Sequence, residues 1–208
     1  MVVLVAVVTL ARTGGASADA STHSKSAPAI NKAALVLQLN QLRENIDSWG
    51  RITLPADGEI WAGELSLMHN QCLSTQAEVA KAVTDWSVFD HYVEENRSSL
   101  SSYQSVAFKF SGATLQLHSI ARGLSGLKRS SYKLWATVTA AYLAAYYADG
   151  DWFRSLTIVD SAVREASRHN CRAITDVSQY GSLTSLTSSG RNGTVMAVTD
   201  LDDVIALL

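Results

Sequence analysis

Hydrophobic residues recur along most of this chain at intervals of three and four, the spacing that lines one face of an α-helix. Leu35, Leu39, Leu42, Ile46 and Trp49 make the first stripe, entered through Ser26-Ala27-Pro28 and ended by Gly50. Leu65, Met68, Cys72, Thr75, Val79, Ala82 and Trp86 make the second and predict a helix from about Glu59 to Trp86. Such regularity suits the shallow crossing angles of a bundle. After a polar patch containing Asp90, His91, Glu94, Glu95 and Arg97, a third helix is expected from near Ser98 to Leu127, with Gly112 marking a break or a close approach.

The stretch Leu134 to Ala148 (LWATVTAAYLAAYYA) has no charged residue. As a helix it spans roughly 22 Å, and it falls short of the ~20 apolar residues that a membrane span requires. A helix apolar on nearly every side is a buried one, so this segment is expected to be the central rod. Asp151 then caps a fifth helix carrying Trp152, Leu156, Val159, Val163 and Ala166. The predicted fold is all-α: four to five long amphipathic helices around a central apolar helix. From Asp176 the chain is rich in Ser, Thr and Gly and reads as loop or tail, with a possible strand at 194–198 and a short helix at 201–208.

The N-terminus changes the setting. Val2 to Leu10 followed by Ala16-Ser17-Ala18 has the form of a signal peptide over residues 1–18, although its first residues lack Lys and Arg. A buried N-terminal element is the alternative. Residues 19–29 read as linker, 30–175 as the bundle and 176–208 as the C-terminal segment. A secreted chain meets an oxidising environment, where Cys72 and Cys171, the only cysteines, are expected to form one disulfide. Two buried thiols are the alternative. Asn96-Arg97-Ser98 and Asn192-Gly193-Thr194 match the glycan acceptor triplet at Asn96 and Asn192. The net charge is −2 and no basic stripe occurs, which argues against nucleic acid as a partner.

Catalytic and metal patterns are weak. His91 with Glu94 or Glu95 shares a helix face, but its order is the reverse of the Glu-x-x-His used in di-metal bundles, and there is no second copy. His69, His118 and His169 are isolated in sequence. Gly123-Leu124-Ser125-Gly126 lacks the spacing of a nucleophile elbow and sits on a helical stripe. No metal, cofactor or nucleotide site is expected. The aromatic residues are more informative: Trp135, Tyr142, Tyr146 and Trp152 cluster toward the rod and its end, as residues at the wall of an apolar cavity do. Ordinary core packing is the competing reading. Ala140, Ala141, Ala144 and Ala145 either admit close neighbours or leave space.

The leader, a first helix ending Ile46-Asp47-Ser48-Trp49-Gly50, the long Ala/Leu/Val-rich helices and the junction Leu127-Lys128-Arg129-Ser130-Ser131-Tyr132 resemble the fungal hydrophobic-surface-binding and cell-wall mannoprotein family over about residues 30 to 170. The cysteine pair and five tryptophans depart from that family's plainer composition. The resemblance implies a secreted helical bundle without catalytic motifs, and a surface- or lipid-binding role. The leading expectation is therefore a secreted, non-enzymatic protein that binds a hydrophobic or amphipathic ligand or an apolar surface, with no transmembrane segment in the mature chain. An extracellular structural or adhesive protein is the second expectation, and a hydrolase the third.

Overall fold

The computed structural model describes residues 31–52, 58–80, 86–127, 131–175 and 177–208. The expected leader, cleavage site and linker, with the Ser26-Ala27-Pro28 helix entry, lie outside these residues. Five α-helices carry the fold: α1 (Lys32–Ile52), α2 (Gly58–Val79), α3 (Ser87–Gly123), α4 (Tyr132–Ala166) and α5 (Val177–Ala206). Short 3-10 turns occupy Leu124–Leu127 and Ala173–Thr175, and no strand occurs among the described residues.

The helices are longer and fewer in their breaks than the local signals suggest. Asn31 caps α1, its side-chain oxygen accepting from the Ala34 amide at 3.1 Å. The helix then continues through Gly50. Helix α2 ends at Val79, so Trp86 precedes α3 instead of closing α2, and the polar patch at 90–97 is already α3. Gly112 neither breaks α3 nor admits a close neighbour. Asp149-Gly150-Asp151 lies inside α4, with no break between the expected fourth and fifth helices. The segment expected to be loop, strand and short helix is one continuous α5 of 30 residues.

Helix α5 is explained by its buried positions: Leu183, Thr187, Gly190, Thr194, Ala197, Leu201 and Val204 alternate by four and three without interruption. On α4 the matching seam is Val138, Ala141, Ala145, Ala148, Trp152, Ser155, Val159, Ala162 and Ala166. Small residues let the two backbones close on each other. A Cβ added to Gly193 would lie 3.0 Å from Ala148 Cβ, and one added to Gly190 would lie 3.0 Å from the Trp152 ring. Weak local propensity is overridden here by a packing seam that spans the helix.

Contacts fix the arrangement. Asp90 meets His169, Ser111 meets Asp149 and Phe108 meets Phe153, so α3 and α4 are antiparallel. Ser189 meets Asp151 while Gly193 packs on Ala148, and Arg43 meets Asp202 while Gly50 packs on Thr194, which makes α4/α5 and α1/α5 antiparallel too. Helix α1 packs on α3 and on α5 toward its C-terminus, while α2 packs on α5, α3 and the end of α4. The two short helices therefore follow one another along one flank, and the bundle has four columns: α1 with α2, α3, α4 and α5. Cys72 and Cys171 form a disulfide with Cα atoms 5.4 Å apart, tying α2 to the α4–α5 connection.

A four-column bundle has no axial helix, and this corrects the expectation of an enclosed rod. Along Leu134–Ala148 only Val138, Ala141, Ala145 and Ala148 are buried, while Leu143, Tyr146 and Tyr147 are 43%, 54% and 66% exposed. The core is instead the shared seam of all four columns, with Leu39, Ile46, Met68, Phe110, Leu117 and Trp152 among its fully buried members.

Candidate functional site

Because α4 buries only its seam, the opposite side of the uncharged segment faces outward. Helical geometry places Tyr132, Ala136, Ala140, Leu143, Tyr147 and Gly150 on that side, with Tyr146 at its edge. Between Lys133 and Asp149 the helix carries no charged side chain, so the face is charge-free for roughly 22 Å. Its aromatic rings are linked: Tyr146 lies 5.8 Å from Tyr147 and 5.9 Å from Tyr142, and Tyr132 lies 5.9 Å from Trp135.

Two flanks border the face. Toward α3, His118 stacks on Tyr142 at 4.6 Å and Phe108 meets Phe153 at 5.6 Å. Between these pairs, Ser111 donates to the Asp149 carboxylate at 2.6 Å. Burial raises the Asp149 pKa, an effect that the Ser111 hydrogen bond opposes. Toward α5 lies an open groove of about 480 Å³, floored by Ala144, Ala148 and Gly193 and rimmed by Tyr147, Asp151, Ser185, Ser188, Asn192 and Met196. Ser189, also in this lining, donates to Asp151 at 2.6 Å.

The four residues expected at a cavity wall do not converge. Trp135 and Trp152 are separated by roughly 25 Å along α4. Trp152 is a core residue beneath Gly190, and its indole N–H has no hydrogen-bond partner among the described residues. Tyr142 and Tyr146 do adjoin, on the α3 side of the outward face. None of the four lines the α4–α5 groove. Leu143, Tyr147 and Met196 lie outside the sequence-based expectation, the first two because an all-apolar helix reads as buried all round, the third because the α5 segment reads as a tail.

The other candidate residues are accounted for structurally. His91 pairs with Glu95 at 3.4 Å on an exposed helix surface, not with Glu94. His69 Nδ1 lies 2.9 Å from the Cys171 carbonyl oxygen. His169, isolated in sequence, sits in a left-handed backbone conformation (φ 57°), stacks on Trp86 at 3.9 Å and reaches Asp90 at 2.7 Å. The nearby Ser167 hydroxyl donates to the Val163 carbonyl at 2.8 Å and accepts from Arg97, so it is held in structural bonds. The Asn96 amide donates to the Tyr92 carbonyl at 3.0 Å within α3. Asn192 is exposed on α5, but the hydroxyl residue of its triplet, Thr194, is buried. Among the described residues no group of three or more His, Cys, Asp or Glu side chains is placed to hold a metal ion. No helix among them is long and apolar enough to cross a membrane.

Fold and surface together define an all-α, four-column bundle with one disulfide, an uncharged aromatic face on α4 and a groove beside it. Compared with protein-family models, curated proteins and solved structures, the chain finds no match in any of the three. The likeness to the fungal surface-binding family thus rests on the residues quoted for it above.

Proposed function

We propose that this chain is a non-enzymatic binding protein that takes up a hydrophobic or amphipathic molecule, or adsorbs to an apolar surface, through the outward face of α4, acting outside the cell. The observation that carries this is the uncharged stretch of α4 on which Leu143, Tyr146 and Tyr147 stand exposed. The largest contiguous apolar patch on a monomer, ordinarily about 300–600 Å², is often functional. Covering roughly 250 Å² of it is worth about 6 kcal/mol before ordering costs. The disulfide suits an oxidising compartment. The adhesive alternative rests on the Ser/Thr-rich C-terminal segment and the glycan triplets at Asn96 and Asn192, and the first of these is the packed helix α5.

Retention on alkyl-agarose tests the proposal. The native protein is expected to be retained at moderate salt, and Tyr146→Glu with Tyr147→Glu to abolish retention while leaving the unfolding midpoint unchanged. Leu37→Glu, at a residue 73% exposed on α1, is the control and should remain retained. Failure of the native protein to bind, or equal loss in the control, would remove the proposal.

A further inference from the structure

The outward face of α4 and the α4–α5 groove are continuous, because Tyr147 belongs to both. The groove differs in chemistry from the face. At about 480 Å³ it falls in the size range of small-molecule sites, yet its rim carries hydroxyl, amide and carboxylate groups. On the same helix Thr187, Thr194 and Thr199 turn their hydroxyls back onto α5 carbonyls. The side chains of Ser185, Ser188 and Asn192 make no such bond among the described residues and remain available to a ligand. Asp151 is held in place by the Ser189 hydroxyl at 2.6 Å, and Arg154 stands 3.7 Å from its other oxygen.

We infer that the groove receives an uncharged, polyhydroxylated head group, that of a neutral glycolipid or alkyl glycoside, while the hydrocarbon tail lies along the outward face of α4. This deepens the apolar-face proposal and rests on it. Sugar hydroxyls both donate and accept, which matches a rim holding an amide, two hydroxyls and an acceptor-only carboxylate. The exposed Tyr147 ring offers a flat apolar platform for the C–H face of a pyranose, with Met196 opposite. Charge selects against other heads. Among the described residues of the lining the charged group is the Asp151 carboxylate, so a sulfate, phosphate or carboxylate head in the groove would meet a like charge, with Arg154 outside the lining and already beside that carboxylate. A plain hydrocarbon filling the groove would desolvate the rim without satisfying it.

The test uses the full chain titrated with n-octyl β-glucoside below its micellar concentration, 1-octanol and n-octyl sulfate, read by calorimetry or amide chemical shifts. Octyl glucoside is expected to bind at least tenfold more tightly than either of the others. Asn192→Leu, at an exposed position, should weaken octyl glucoside about tenfold and leave octanol unchanged. Equal affinities for octanol and octyl glucoside, or indifference to Asn192→Leu, would overturn the head-group assignment while the apolar face stands. Tightest binding of octyl sulfate would overturn it through the charge argument. Binding of none of the three would remove the apolar-face proposal as well. The unfolding midpoint of Asn192→Leu and amide shifts confined to the groove separate a lost contact from a lost fold.

Discussion

Gly50 is the position at which the packing of this bundle can be tested most sharply. It lies inside α1, where replacing glycine with alanine ordinarily stabilises a helix by about 1 kcal/mol. Here the added Cβ would stand 2.2 Å from Thr194 Cγ2 and 2.8 Å from Thr194 Oγ1. Thr194 has little room to yield: it is buried, and its hydroxyl donates to the Gly190 carbonyl at 2.8 Å. Relief therefore requires α1 and α5 to move apart along their seam. Overpacking of this kind costs about 1–3 kcal/mol, and a contact this short belongs at the upper end. Subtracting the helical gain leaves Gly50→Ala destabilising by about 2 kcal/mol. Gly112→Ala provides the contrast, since nothing lies within 4 Å of its added Cβ in the middle of α3; it should stabilise by about 0.5–1 kcal/mol. Urea unfolding followed by circular dichroism, with midpoints compared at constant slope, measures both. Thr194→Ala removes the two closest atoms. The double variant should then be less damaged than the sum of the single variants by about 1–2 kcal/mol. If Gly50→Ala stabilises to the same degree as Gly112→Ala, or if the double variant is additive, the close approach of α1 and α5 is refuted.

Three further predictions concern the disulfide and two titrating groups. Cys72→Ser with Cys171→Ser opens a loop whose ends are 99 residues apart and should lower stability by about 2–5 kcal/mol in urea unfolding, with the α4 face intact in the folded fraction. Burial raises the Asp149 pKa above its ordinary 3.8, so the stability associated with this group is complete below 3.8 and is lost as pH rises through the higher folded value. Asp149→Asn, which keeps an acceptor for Ser111, should therefore unfold at higher urea than the parent at pH 7, with the difference closing below pH 3.8; no difference at pH 7 would contradict this. Tyr92 is pushed up to about 12 by burial and by its hydrogen bond to Glu64, so its contribution is complete below pH 10 and lost between pH 10 and 12. Tyr92→Phe should flatten the alkaline fall in stability across that window, and an unchanged slope would count against the burial and hydrogen-bond origin of the shift.

Some of this architecture was legible one helix at a time. Stripes such as Leu35, Leu39, Leu42 and Ile46, or Leu65, Met68 and Cys72, repeat at helical spacing, so the all-α class and the buried sides of α1, α2 and α3 follow from the order of residues. The pair Cys72 and Cys171, read as one disulfide on the expectation of an oxidising environment, is bonded in the fold, where two buried thiols were the alternative. Breaks were read less well, because Gly50, Gly112 and Asp149-Gly150-Asp151 are local stop signals that lose to packing extending beyond them on both sides.

What only the assembled bundle decided is where small and apolar residues go. Gly190, Gly193 and Thr194 look like loop chemistry in isolation, but against Trp152, Ala148 and Gly50 they are what close helix contact requires. Composition along one segment cannot report the shape of the surface opposite it. The same reason governs the uncharged part of α4. Its sequence established that it carries no charge, whereas the number of columns around it determined which side stays in water. The candidate site exists because four columns surround a shared seam and leave every helix one outward side, and on α4 that side is aromatic.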